Sequence, residues 1–327
     1  MKLHLNKKSL PVIAVLLLII IVIGIFMITG KTNENGKRKH ISFIVYGDDN
    51  ERWENMRQGA GLVCGENDAD ITLVTMLTED DVNEQIEIIE REISNGADAL
   101  IIAACDSGAI REYINSRKAR IPVVFVEASQ STGLALNDVP DFCPDDYRMG
   151  YELGETLVEN ESDIVTVAVI SGNTKRDSVA MREKGLKDAI TGKVGKELSW
   201  TGSRFGKSTQ TRVFIQRALV SEATDVIVTL DNTTTDALLD AMENLNQSSK
   251  VYAISTSNKA VYYLNGTTIK ALGFPDEFSM GYLAAMYVLD RSKARNTYAG
   301  KEIEYRIVRK EDMYDADNQT LLFPFVN

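Results

Sequence analysis

The chain holds two histidines, His4 and His40, both near its start, so imidazole acid–base chemistry and histidine zinc ligation have little to work with. No Gly-x-Ser-x-Gly turn offers a nucleophile. Cys64, Cys105 and Cys143 are widely spaced, and they read as small buried hydrophobes, not as a disulfide framework or a metal site. Gly59-Ala60-Gly61-Leu62-Val63-Cys64-Gly65 has the look of a dinucleotide fingerprint, but a helical pattern is already under way at Gly59. A fingerprint belongs at the strand-to-helix turn, where backbone amides meet a pyrophosphate, so close helix packing is the expected role here. Gly206-Lys207-Ser208 resembles the end of a phosphate loop, yet Thr201 stands where the leading glycine is required. The carboxylate pairs Asp48/Asp49, Asp80/Asp81 and Asp145/Asp146 read as solvated caps in an acidic protein. No catalysis, cofactor or metal is expected.

The remaining polar and aromatic residues suit binding. Arg182 lies three residues after Val179 and four before Leu186, so it shares their inward face. A buried guanidinium needs acceptors, supplied by an internal ion pair or by a ligand. Asp231 ends an apolar run and either caps the helix that follows or faces a guest. Trp53 opens an apolar stripe through Met56 and Ala60, while Phe205 is a large ring in a polar turn.

Short apolar runs that alternate with helical patterns must position these groups. Strands are predicted at 41–46, 71–76, 99–104, 123–127, 164–171, 197–200, 226–230, 251–255, 269–274 and 303–308. Helices are predicted at 79–95, 107–118, 145–159, 176–190, 207–220, 233–245 and 278–292, with a further one through Trp53 and Val63. Apolar strands bounded by helices call for parallel sheets covered on both faces, and two sheets fit this number better than one. Ligands gather at the carboxyl ends of such strands, so the loops after Tyr46, Ala104, Val126, Ser171, Leu230 and Ile254 are the ones to inspect.

Net charge is −11, unevenly spread. The first 39 residues carry seven Lys and Arg against one Glu, which leaves −17 for the rest. An acidic body of this kind excludes nucleic acid as a partner. Residues 11–29 contain no charge, and as a helix they would span roughly 27 Å, close to the hydrocarbon thickness of a bilayer. A secretory signal would be shorter and end in small residues; Ile28-Thr29-Gly30-Lys31 has no such site, so an uncleaved anchor is expected. Residues 31–40 form a polar tether.

Several motifs in order carry a resemblance. Asn50-Glu51-Arg52-Trp53, with Gly59 six residues on, is similar to an Asn-Pro-Phe-Phe turn and first helix. Gly96-Ala-Asp98 through Asp106, Ile121-Pro122-Val123-Val124, and Asp145-Asp146 through Gly150 follow. Val169-Ile170-Ser171-Gly172 and Met181-Arg182-Glu183-Lys184-Gly185 complete the set. Over roughly 41–327 the chain resembles the sugar-binding branch of the type I periplasmic binding proteins. The resemblance implies an α/β fold of two doubly wound parallel-sheet lobes joined by a three-crossover hinge, here preceded by one N-terminal transmembrane helix. The expected division is 1–10 basic segment, 11–30 anchor, 31–40 tether, 41–142 plus 276–308 first lobe, and 143–275 plus 309–327 second lobe.

It also implies ligand-binding roles for Asn50, Arg52, Trp53, Asp106, Glu127, Arg182, Phe205, Asp231 and Ser255. Trp53 and Phe205 would stack on the two faces of a sugar ring, and Arg182 would donate to its oxygens. On this reading Arg182→Ala leaves the unliganded melt nearly intact. The chain departs from the family where Ala128 replaces an Arg, Ser255 an Asp and Asp231 an Asn. The function implied is extracytoplasmic binding of a small solute, a monosaccharide, by a domain held at the cell membrane by a single pass. Lobe closure would be signalled to a sensor histidine kinase, or alternatively serve the permease of an ABC importer. A degenerate protein-interaction module is the third reading, motivated by Ala128 and Ser255.

Overall fold

The computed structural model describes residues 38–47, 51–117, 121–128, 139–162, 166–201, 208–291 and 302–322. The chain divides by its contacts after Arg38, and the unit from Lys39 to Asn327 is the one described below. Among the described residues no helix is long and apolar enough to cross a membrane, and the expected anchor at 11–30 lies outside them.

Alternation of strand and helix is what the apolar runs require. In chain order the elements begin β1 Lys39–Val45, α1 Glu54–Glu66, β2 Ala69–Thr75, α2 Val82–Ser94, β3 Ala99–Ala103, α3 Ser107–Arg117, β4 Val123–Val126 and β5 Asp141–Phe142. These strands form a parallel sheet in the order β2-β1-β3-β4-β5. Every residue of β3 and β4 is buried, as expected of strands covered on both faces. Full burial of each Ile, Val or Leu contributes roughly 1.5–3 kcal/mol.

The second lobe continues with α4 Asp146–Asn160, β6 Thr166–Ser171, α5 Asp177–Ile190, β7 Lys196–Thr201, α6 Ser208–Ser221, β8 Val226–Thr229, α7 Asn232–Leu245, β9 Lys250–Ile254, α8 Asn258–Asn265 and β10 Ile269–Pro275. Then come α9 Glu277–Leu289, β11 Tyr305–Val308 and α10 Ala316–Leu322. The second sheet has the order β11-β10-β9-β8-β6-β7.

The expected division needs one correction. The sequence pattern places residues 276–308 in the first lobe, but only the first part belongs there. Met280, Leu283 and Ile303 pack in the first lobe's core, whereas β11 pairs antiparallel with β10, Leu272 opposite Val308. The chain therefore crosses back near Glu304, whose carbonyl accepts from the Asp276 amide. An apolar pattern reports a strand without saying which sheet takes it. The sheets are parallel as expected, with β11 antiparallel at this edge. Helices α8 and α10 and the two-residue β5 were not read from sequence. Ser257 starts α8 by accepting from the Ala260 amide.

Each lobe has one helix pair crossing at backbone contact. A Cβ on Gly59 of α1 would meet the Phe278 carbonyl of α9 at 2.0 Å, and one on Gly281 would meet the Met56 carbonyl at 1.9 Å. In the second lobe, a Cβ on Gly185 of α5 would lie 1.9 Å from the Tyr147 carbonyl of α4, and one on Gly150 would lie 2.1 Å from the Arg182 carbonyl. Gly59 thus serves close packing within a helix, while Gly61 and Gly65 face open space. The second crossing fixes Arg182 against the start of α4. Cys64 and Cys105 are buried free thiols in the first core, and Cys143 is half-buried.

Candidate functional site

The carboxyl ends of both sheets face a cleft of about 200 Å³. From the first lobe come Tyr46 and Gly47 after β1, Arg52 and Trp53 from the turn before α1, Glu79, and Glu127 after β4. From the second come Arg176, Val179 and Arg182 at the start of α5, Arg212 of α6, and Asp231–Thr233 at the start of α7. Four of the six loops singled out by the strand pattern reach this space. Those after Ala104 and Ile254 do not.

Glu127 is the centre of the first-lobe wall. Its backbone is left-handed, φ 58°, a conformation that costs a residue with a Cβ about 1–2 kcal/mol. Its side chain accepts from the Tyr46 hydroxyl at 2.7 Å and from Arg52. Burial opposes ionisation of Glu127, but Arg52, Arg182 and the Tyr46 hydroxyl outweigh it and hold the carboxyl below the usual range. Arg52 also donates to Glu277 at the start of α9, on the second crossover. Burial pushes the Glu277 carboxyl up, against the pull of Arg52. Ala128 offers no guanidinium, and Arg52 supplies one to Glu127.

Trp53 reaches the cleft wall but is only 1% exposed. The Arg52 guanidinium sits 4.5 Å over its ring, and Tyr46 meets it edge-on at 4.8 Å. Arg52 covers one broad face of the ring.

In the second lobe Arg182 donates from Nε to Asp146 at 2.7 Å and from Nη1 to the Leu230 carbonyl at 3.1 Å. The internal ion pair is therefore present, at the edge of the cleft. Asp231 caps α7 through the Thr234 amide at 2.8 Å, while its other oxygen accepts from the Gly172 amide at 3.0 Å. Arg176 was not singled out. It stands at the N-cap position of α5 and reaches across to the first lobe, its guanidinium 4.2 Å over the Tyr46 ring and 3.9 Å from Glu79. A signal was present, since a cation at a helix N-terminus opposes the helix dipole and calls for a reason. Tyr46 and Glu79 carried no such signal.

Two expected residues lie outside the cleft lining. Asp106 accepts from the Ala109 amide at 2.9 Å, starting α3, and pairs with Lys175 at 3.7 Å. Ser255 is 1% exposed, and its hydroxyl faces Ser257 at 3.3 Å. Asn50 and Phe205 fall outside the described residues.

The lobes touch beside the cleft as well. Asn173 donates to the Cys105 carbonyl at 2.7 Å, the Ser107 amide to the Lys175 carbonyl at 3.0 Å, and the Asp177 amide to the Ser107 hydroxyl at 3.0 Å. Thr233 donates to Glu79 at 3.2 Å.

A two-lobed α/β architecture with polar walls from both sides agrees with the comparison by sequence, in which residues 41–295 match the family described as periplasmic binding protein domain. The chain belongs to that family. As a periplasmic binding protein it carries its binding domain outside the cytoplasm. The D-ribose/D-allose-binding protein of Pseudomonas aeruginosa is 28% identical over 163 residues, 48% of this chain and 51% of that protein. The match spans about half the length of that relative. A carbohydrate transporter solute binding protein from Agrobacterium radiobacter, solved with D-arabinose, superposes with a TM-score of 0.73 at 17% identity, covering 88% of this chain and 99% of that one. The XylFII–LytSN complex contains a chain matched with a TM-score of 0.71 at 17% identity, over 84% of this chain and 99% of that one. At these identities the solved structures establish the fold.

Proposed function

We propose that this periplasmic binding protein closes its lobes over one monosaccharide and presents the closed state to a membrane partner. The observation that carries the reading is a single cleft with polar walls from both lobes, Arg52 and Glu127 on one side, Arg182 and Asp231 on the other. Only a closed form makes both sets of contacts, so a ligand that uses both shifts the open–closed balance. A space of about 200 Å³ equals roughly six or seven water volumes, the scale of one sugar ring and not of an oligosaccharide. Asn50 and Phe205 enter this reading from the family resemblance, as a hydroxyl contact and a stacking ring. The protein acts as a receptor, not an enzyme, with residues 11–30 holding it to the membrane.

The likeness to a chain of the XylFII–LytSN complex supports a sensor histidine kinase as the partner. The likeness to a carbohydrate transporter solute binding protein supports the second reading, an ABC importer. A thermal-shift panel of monosaccharides and polyols on the full-length chain in mild detergent tests the function. Binding to the folded state alone raises the melting temperature by RT ln(1 + [L]/Kd) in free energy, about 2.7 kcal/mol at a hundredfold excess over Kd. Silence across the panel would favour a protein-interaction module. Co-purification with a kinase ectodomain, against reconstituted uptake with a permease, separates the two partners.

A further inference from the structure

Two guanidiniums at the cleft, Arg176 and Arg182, are buried and a third, Arg52, is largely so, and they are not equally satisfied. Arg52 bonds directly to Glu127 and Glu277, and Arg182 to Asp146. Arg176, 2% exposed, has Glu79 at 3.9 Å, beyond hydrogen-bond reach, and its buried Nε has no acceptor among the described residues. The other nearby carboxylate, Asp231, is engaged by the Thr234 and Gly172 amides. Glu79 itself accepts from Thr233.

A buried cation with unmet donors is costly. Glu79 gives the charge a partner at 3.9 Å but no hydrogen bond, and a sugar hydroxyl would satisfy one donor. A carboxylate can accept from two donors of the planar guanidinium fork at once. We infer that the cleft takes a monosaccharide bearing a carboxylate, a uronic acid, with Arg176 as its anchor. This rests on the cleft being the ligand site. Of the acidic residues of the wall, Glu127 and Asp231 are committed to donors other than Arg176, Asp236 accepts from Ser257, and Asp240 pairs with Arg212 and Lys259; Glu79 is the carboxylate that stands beside Arg176.

The test is isothermal titration of the full-length chain in mild detergent with D-glucuronate and D-galacturonate, each beside its neutral aldose and its uronamide. The uronamide keeps the shape of the acid and removes the charge. The expected result is that each uronate binds tighter than its uronamide and its aldose by about tenfold or more, the worth of one hydrogen bond between charged groups. Arg176→Gln should erase that difference and Arg176→Lys should keep part of it. Uronamide or aldose binding as tightly as the acid overturns the inference and leaves the receptor reading standing. A uronate preference that survives Arg176→Gln overturns the anchor. Silence from acids, amides and aldoses alike overturns both. The wild-type comparison decides the ligand class even where a variant fails to fold.

Discussion

Replacing Arg182 with alanine tests what the second lobe's wall is for. The side chain is 5% exposed, with Asp146 at 2.7 Å and the Leu230 carbonyl at 3.1 Å. Truncation leaves Asp146 buried without its charge-assisted donor, and removing one partner of a buried pair costs about 3–5 kcal/mol. For a body of this size each kcal/mol moves the midpoint by about 2–4 °C, so the expected loss is roughly 6–20 °C. Differential scanning calorimetry on the full-length chain without added ligand reads it directly. Arg182→Met combined with Asp146→Leu removes both charges and should recover most of the loss, since a neutral apolar pair of similar volume is often as stable. From sequence alone the opposite was expected, an unliganded melt left nearly intact. If Arg182→Ala melts within about 2 °C of the parent, less than one kcal/mol's worth, the pair is not structural and the reasoning fails.

Other perturbations separate packing, protonation and closure. Gly59→Ala places a Cβ 2.0 Å from the Phe278 carbonyl and should destabilise by at least about 1–3 kcal/mol in denaturant unfolding, as overpacking does. Gly61→Ala, with nothing within 4 Å, should stabilise the same helix by about 0.5–1 kcal/mol. Burial pushes the Asp141 carboxyl up to about 7, whereas in the unfolded chain it titrates near 3.9. The folded form thus keeps its proton longer, and the stability this group contributes is present below about pH 4 and lost as pH rises through 7. The melting temperature of Asp141→Asn relative to the parent should therefore climb across that window; a flat difference would sink the assignment. Asn173→Ala with Ser107→Ala removes two side-chain bonds between the lobes, worth about 1–3 kcal/mol together. Small-angle scattering should then show a larger radius of gyration, and an unchanged radius would show that these bonds do not hold the lobes together.

How much of this was legible in the sequence depended on whether the signal was periodic. Apolar runs fixed the strands because burial on both faces demands continuous Val, Ile and Leu, as in β3 and β4. Gly59 and Gly185 were visible within helical patterns, and both lie at backbone contact. The inward face of Arg182 followed from Val179 and Leu186, but its partner Asp146 had been read as part of a solvated cap. Position along the chain was a poorer guide for Asp106 and Ser255. A residue at the end of a strand can turn its side chain back to its own helix or loop, and the resemblance does not report that rotation. Tyr46 and Glu79 carry no local signal because they meet Arg176 only when the two lobes come together, whereas Arg176 itself is marked by its place at a helix N-terminus.

That dependence on closure explains how the cleft can respond to a guest. Arg176 belongs to the second lobe, while Tyr46 and Glu79 belong to the first. Bringing the lobes together takes a guanidinium out of water at a penalty of several kcal/mol. The protein's own return at that spot is a cation–π contact, worth about 0.5–2 kcal/mol, and a carboxylate too far away for a hydrogen bond. The bonds from Asn173 and Ser107 favour closure by a similar amount. Terms of opposite sign and like size leave an equilibrium that a few kcal/mol can tip. A ligand oxygen that accepts from Arg176 acts on the closed form alone, and only such differential affinity shifts the balance.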